Sequence, residues 1–367
     1  MTIVVIGGGV VGLSLALGLL ERGRKVIVLD GSDEEFRASR GNFGLIWVQG
    51  KGATSPAYAW WTRNSAGLWP VFAEDLRRLS GVDLALHQTG GLEYCTSDGE
   101  LEERAAMLAR LRQDMDGEYP FEVLDHAALK RLVPEIGPKV VGGTFSPMDG
   151  HVNPLFLLQA LGKAVRVLGG EILPGARVVD LVMADHDFTA ILADGKRIAG
   201  EGLVLAAGLG AKDFASRLGF EAPIRPQQGQ ILITEKLPPF LKYPSGTIRQ
   251  VNEGGVQIGA SKAEVGFDDN EDPATIAGLA RHAVDVFPHL ARVKVIRSWA
   301  ALRIMSPDGL PIYERSARYR GASFVTCHSG ITLAAAHVRL LPDWILGRDT
   351  ATDFRHFNER RFDVPAA

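Results

Sequence analysis

An α/β fold carrying a Rossmann-type nucleotide-binding unit is what the sequence predicts, on three observations. Residues 3–6, Ile-Val-Val-Ile, form the β-branched run expected of a buried parallel strand. Gly7-Gly8-Gly9-Val10-Val11-Gly12 comes next and satisfies G-x-G-x-x-G. Residues 25–30, KVIVLD, then read as a second strand ending on a carboxylate, Asp30, 18 residues beyond Gly12.

Each element has a physical reason. Residues 12–22 read as a helix, and Gly23 stands where a glycine would end it. Gly7, Gly9 and Gly12 allow a tight turn. They also let backbone N–H groups around Val10 and Val11 approach a pyrophosphate at the helix N-terminus. Asp30 can accept hydrogen bonds from ribose hydroxyls, and its charge would repel the 2′-phosphate of NADP. Strand, turn, helix, strand and acid together point to dinucleotide binding. A nicotinamide dehydrogenase could share these 30 residues, so the choice between NAD and FAD rests on the residues after Asp30.

The whole chain sets bounds. Its 367 residues suffice for two domains or one large elaborated one. A net charge of −3, from 40 basic and 43 acidic residues, offers no basic field for nucleic acid. Cys95 and Cys327 are the only cysteines, which suggests neither a disulfide framework nor a Cys-rich metal site and fits a reducing compartment. No basic n-region precedes the first apolar run, and no run reaches the roughly 18 residues of a membrane span, so a cytoplasmic protein is expected.

Directly after the nucleotide unit comes RASRGNFGLIWVQGKG, residues 37–52, cationic at both ends and apolar in the middle. Ser55-Pro56 is a good N-cap and N1 pair for a helix towards Trp69, with Pro70 expected to kink or restart it. Trp60, Trp61, Trp69 and Phe72 read as packing residues. Residues 84–94 read as strand, turn, strand about Gly90-Gly91, and 100–115 as a helix with a solvated charged face. Asp149-Gly150-His151-Val152-Asn153-Pro154 leads into a helix to about Leu168. Residues 175–182 read as a strand, and Asp194-Gly195 as a hairpin turn. GLVLAAGLG, 202–210, is an apolar strand ending in small residues that let a ligand approach. Strands over 230–234 and 247–259, a helix over 273–286, and strand–turn–helix over 323–341 complete the pass.

These features, in this order, resemble the D-amino-acid oxidase superfamily of FAD-dependent amine oxidoreductases along almost the whole chain. The glycine motif with Asp30 resembles its ADP-binding unit. Ser39-Arg40-Gly41-Asn42-Phe43-Gly44 resembles its second phosphate- and flavin-contacting loop, running on into Leu45. Asp149 to Pro154 matches its DGxxxP stretch, and Val178 falls where a strand backbone meets the adenine. Ala206-Ala207-Gly208 matches a flavin-side turn, and Leu302-Arg303 with Asp308-Gly309-Leu310-Pro311 its LR…DGxP segment. Ser329, Gly330, Ile331 and Thr332 look like the helix start beneath the flavin pyrimidine ring. The wording of residues 37–52 and of CHSGITLA looks closest to bacterial opine, iminodiacetate and hydroxyproline oxidases or dehydrogenases.

The resemblance implies a discontinuous Rossmann-type FAD-binding domain, residues 1–80, 146–220 and 321–367. It would be interleaved with a mixed β-sheet substrate-binding domain, 81–145 and 221–320. It also implies oxidation of a small amino or imino acid by hydride transfer from Cα to flavin N5, with imine hydrolysis to amine and oxo acid. Arg303 is the expected carboxylate clamp, because a guanidinium fork matches a carboxylate and its apolar flanks imply burial. His328 stands where glycine oxidase carries arginine, as either a substrate ligand or a structural histidine. Lys51, Arg249 and His328 are candidates for a second cationic group that a dicarboxylic amine would need, and Gln49 is expected with Lys51 near the substrate. Residues 300–306 lack the cysteine to which sarcosine oxidases attach flavin, so FAD is expected to be non-covalent. The resemblance implies an oxidase whose reduced flavin is re-oxidised by O2 to give H2O2, but Gln257 stands where sarcosine oxidases hold an oxygen-activating lysine, so a dehydrogenase passing electrons to another acceptor is the alternative. An NAD-dependent dehydrogenase and a flavin subunit working only with partners are the competing readings. A homo-oligomer or partner subunits are both compatible with the sequence.

Overall fold

The structure, a computed structural model, describes residues 1–31 and 38–363; Arg37, which opens the cationic segment, lies outside the described residues. A six-stranded sheet organises the nucleotide end. Its order runs Ile312–Arg315, Ala322–Thr326, Gly202–Leu205, Thr2–Ile6, Lys25–Leu29 and Glu171–Leu173. All neighbours are parallel except the first pair. Because strand side chains alternate, its two faces enter different cores. Ile3, Val5, Val26, Val28, Val204 and Val325 pack with the helices Val10–Glu21, Pro56–Ser80, Pro154–Val167 and Gly330–Arg339. Val4, Ile6, Leu29, Leu203, Leu205 and Phe324 face a three-stranded antiparallel sheet, Val178–Ala184, Asp187–Leu192 and Arg197–Gly200. The Asp194-Gly195 turn closes the second of its hairpins, with Gly195 at φ 84°.

A separate antiparallel sheet is built on the long strand Arg225–Lys236, flanked by Val295–Met305 and by Gly255–Ile258, with Ile248–Gln250 outermost. It shares a third core with Gly91–Cys95, which pairs with Gly142–Ser146 beside Glu122–Asp125, and with the helix Pro273–Val286. Leu45–Ile46 pairs with Gly150–His151 and threads between the two halves.

Two local expectations are corrected. Residues 84–94 hold one strand, Gly91–Cys95, because Ala85 at φ 52° turns the chain and, before Gly91, His87 alone among the described residues bridges, to His151. Pro70 is expected to kink or restart its helix, and the helix does not restart there but runs unbroken from Pro56 to Ser80. Proline cannot donate to the carbonyl of Ala66, four residues earlier. The Gln88 side-chain amide donates to that carbonyl instead, at 2.9 Å. Pro70 itself is exposed, so its ring needs no space in the core.

Candidate active site

One cavity of about 1250 Å3 runs from the first Rossmann turn to the sheet built on Arg225–Lys236. Typical small-molecule sites occupy ~300–1000 Å3, so it has room for an extended ligand and a small one beside it. At one end Gly7, Gly9, Val10 and Val11 line it, with Asp30, Val178, Ala207 and Gly208 around them. The helix Val10–Glu21 starts here with glycine as N-cap and no side-chain cap of its own. Ser39, from the following loop, supplies the cap by accepting from Val10 N–H at 3.0 Å. The helix's other early N–H groups and its dipole face the cavity, which suits a phosphate. Gly12 does not line the cavity. It allows helix and turn to pack, since a Cβ there would lie 1.9 Å from the Gly7 carbonyl oxygen.

Ser39, Asn42, Phe43, Leu45 and Trp47 carry the wall onwards. Asn42 Oδ1 accepts from Gly44 N–H at 2.8 Å and shapes the loop. Trp47 N–H donates to Thr332 Oγ1 at 3.1 Å, and that hydroxyl reaches the Leu45 carbonyl at 3.3 Å. The strip is thus tied to the start of the helix Gly330–Arg339, whose first residues Gly330, Ile331 and Thr332 also line the cavity. Arg40 is exposed and Gly44 lies behind the wall; neither lines it. Gly44 has φ 89°, and a Cβ there would meet the Val152 carbonyl at 2.4 Å and Arg249 at 2.9 Å.

The far end is cationic. Arg303, on the strand Val295–Met305, reaches the Ser261 carbonyl at 2.9 Å and the Gln228 carbonyl at 3.3 Å through one nitrogen, Nη1. Among the described residues no carboxylate pairs with it, and burial lowers its pKa. Its guanidinium lies over Gly229, where a Cβ would come within 2.5 Å of Nη2. Lys51 Nζ sits 2.9 Å from His328 Nε2 and 2.8 Å from Ser329 Oγ, which also accepts from Tyr58 OH at 2.8 Å. Burial, with Lys262 and Arg303 nearby, brings the Lys51 ammonium down to about 8, despite an opposing pull from Cys327 and Asp149. Burial first, then Lys51 and Arg303, holds His328 well below the ordinary imidazole range, and a hydrogen bond with the Gly309 carbonyl opposes this. The ring is therefore neutral, with Nε2 bare to accept from Lys51.

Gln49 and Arg249 lie behind the cavity wall. Gln49 Nε2 donates to Asp149 at 2.8 Å and to the Gly91 carbonyl at 3.1 Å, and its Oε1 accepts from Thr144 at 2.6 Å. Arg249 is buried beneath Phe43, with bonds to Gln257, to His151 Nδ1 and to the Val152 carbonyl. Burial lowers its pKa to about 9. Residues that sequence reasoning passed over also shape this end. Tyr119 OH donates to the Val48 carbonyl and accepts from Gly50 N–H, on the loop that Asp149, already marked by the DGxxxP stretch, holds by accepting from Val48 N–H. Gly229 and Lys262 line the cavity. Only contacts far apart in sequence expose them, so no local motif signals their roles.

A sequence model described as FAD dependent oxidoreductase matches residues 2–344. The chain is 40% identical over 364 residues to an opine oxidase subunit of Agrobacterium tumefaciens (strain Ach5), covering 99% of this chain and 98% of that one. It is 38% identical, with the same coverage, to the corresponding opine oxidase subunit of Rhizobium meliloti. The crystal structure of glycine oxidase from Geobacillus kaustophilus superposes with a TM-score of 0.89 at 24% identity, covering 97% of each chain, and so shares the fold. The cavity fits FAD. A helix start offers N–H groups for its phosphates, a carboxylate stands at the adjacent strand end, and a second helix start with a small-residue wall lies at the far end. The chain belongs to the FAD dependent oxidoreductase family.

Proposed function

We propose that this enzyme oxidises the CH–NH bond of a small amino or imino acid, foremost a secondary amine such as an N-substituted glycine. The observation that carries the reading is Arg303, a half-buried guanidinium without a carboxylate partner among the described residues, at the end of the FAD cavity. A charge partly withdrawn from water needs an anion, and a substrate carboxylate supplies one in the fork geometry that guanidinium prefers. Bound FAD supplies the two-electron acceptor for the CH–NH bond. The protein positions the substrate against it, and the resulting imine is hydrolysed by water to an amine and an oxo acid. A neutral His328 leaves the amine end free of a competing imidazolium.

In this reading Gly7, Gly9, Val10, Val11 and Ser39 hold the phosphates, Asp30 the ribose and Val178 the adenine side. Asn42, Phe43, Leu45, Ala207, Gly208 and the residues from Ser329 to Thr332 flank the flavin. Gly12, Gly44, Gln49 and Arg249 support them from behind, and Arg40 stays at the surface. In this reading FAD is held non-covalently, because residues 300–306 hold no cysteine and Cys95 does not line the cavity, while burial keeps the Cys327 thiol in the wall protonated. Sheet membership supports a division into interleaved FAD and substrate domains, and it favours moving Ile312–Arg315 from the substrate side to the FAD side. Two free cysteines favour the cytoplasm, and among the described residues no helix is long and apolar enough to cross a membrane.

A second reading makes the chain one component of a larger enzyme that passes electrons to an acceptor other than O2. The relatives named as opine oxidase subunits favour it, as does Gln257 bonded to Arg249 rather than lining the cavity. Anaerobic bleaching of the flavin across glycine, sarcosine, iminodiacetate, D-alanine, D-proline, hydroxyproline and opines tests both. Bleaching by at least one of them is expected, and re-oxidation in air separates an oxidase from a dehydrogenase. A yellow protein that none of them bleaches would overturn the amine reading.

A further inference from the structure

We propose that Lys51 holds a second substrate carboxylate, so that the preferred substrate is a secondary amine bearing two carboxylates, one on Arg303 and one on Lys51. This rests on the amine reading above. It deepens that reading by naming the substrate's charge and the residue that selects for it.

An ammonium carries three donors in a rotatable set. Two of those on Lys51 are committed to His328 Nε2 and Ser329 Oγ, both neutral acceptors, and the side chain lines the cavity. Among the described residues no carboxylate forms an ion pair with Lys51, Arg303 or Lys262, although all three line the same cavity. Asp149 is the acid nearest in effect to Lys51, but burial raises its pKa to about 7, and its oxygens are taken by Val48 N–H and the Gln49 amide. Lys51 and Arg303, both half-buried, with the exposed Lys262 beside them, leave more than one positive charge for a ligand to neutralise. A single carboxylate on Arg303 satisfies only one of them.

The loop carrying Lys51 is built to hold position. Tyr119 bonds both Val48 and Gly50, Asp149 bonds Val48 and Gln49, and Lys51 N–H donates to the Val48 carbonyl at 2.9 Å. At the other side of the ammonium, Tyr58 fixes Ser329, and the Gly309 carbonyl fixes the His328 ring. A flexible surface lysine needs no such support. A rigid donor aimed into a cavity matches the demand of a specificity contact, where the supporting residues set the position.

The test compares iminodiacetate with sarcosine, which has a methyl in place of one carboxymethyl group, on the FAD-loaded enzyme. The wild type is expected to favour iminodiacetate by about 10- to 100-fold in kcat/KM, the effect of one charge-assisted hydrogen bond. In Lys51→Gln that ratio falls to within about 3-fold, chiefly through KM for iminodiacetate, and Lys51→Arg restores most of it. A wild-type ratio near unity overturns the inference even if Lys51→Gln fails to fold, as does a ratio that survives in folded Lys51→Gln. Equal loss with both amines in Lys51→Gln and Lys51→Arg would make Lys51 a structural residue and overturn it too. Bleaching by both amines alike sinks the two-carboxylate inference alone. Silence of every amine on the panel sinks the amine reading and the inference together.

Discussion

At the scale of single residues, the site depends on where two cations can stand. Gly229 decides this for Arg303, because a Cβ there would fall 2.5 Å from Nη2. The clash is with the far end of a flexible side chain, so the protein can relieve it by moving the guanidinium. Gly229→Ala is therefore expected to lower kcat/KM by roughly 10-fold or more, mainly through KM, with little change in Tm. An unchanged KM would show that the fork need not lie over Gly229. Lys51 makes a pH prediction with a definite sign. Its ammonium is charged below about 8 and neutral above, under the combined influence of burial, Lys262 and Arg303 against Cys327 and Asp149, with His328 neutral throughout. For a two-carboxylate amine kcat/KM, which reports the free enzyme, should fall as pH rises through about 8. In Lys51→Arg that decline should move to higher pH, because guanidinium keeps its proton. A decline at the same pH in both proteins would assign it to another group. Arg303 was legible in the sequence through its apolar flanks. The Lys51–His328 contact spans 277 positions, and no residue near Arg249 in sequence shows that Phe43 covers it.

At the scale of elements, local pattern served well where the element answers to its own sequence. The helix Pro273–Val286 lies where its Asp272 cap and Pro273 put it, and Asp272 accepts from Ala274 and Thr275 N–H. The Rossmann turn, the hairpin at Gly195 and the final strand–turn–helix are of the same kind. The pattern failed where a distant partner decides. Pro70 is expected to kink or restart its helix, and the helix does not restart, because Gln88, eighteen positions on, takes over the Ala66 carbonyl while also bonding the Met148 carbonyl. Gln88→Leu keeps the bulk and leaves two carbonyls without that donor. A loss of about 1–3 kcal/mol in stability is expected, read as a lower urea midpoint. If the midpoint stays put, the helix crosses Pro70 on packing alone, through Trp69 and Phe72 in the core.

At the scale of the whole molecule, the cavity wall is drawn from widely separated stretches of chain. They include the first turn near residue 7, the strip near 43, the strands near 178, 207 and 303, and the last helix start near 330. The strands near 178, 207 and 303 belong to three different sheets, and the stretches draw on two of the three hydrophobic cores, with the substrate-side sheet closing the far end. A ligand filling that space touches both halves, and its removal leaves a cavity with two helix starts and several unpaired cations open to water. FAD should therefore act as a shared support as well as a reagent. Binding to the folded chain alone adds about 2.7 kcal/mol when free ligand stands at a hundred times its Kd. For a chain of this size that corresponds to a Tm higher by about 3–4 °C than in the flavin-free protein. Adding FAD back to stripped protein should restore the difference, whereas adenosine diphosphate, which fills only the end near Asp30, should restore a part of it. A flavin-free protein melting within about 1 °C of the loaded one would mean that the halves hold together without the cofactor. In that case the tie between Trp47 and Thr332, not the ligand, would join the strip to the last helix.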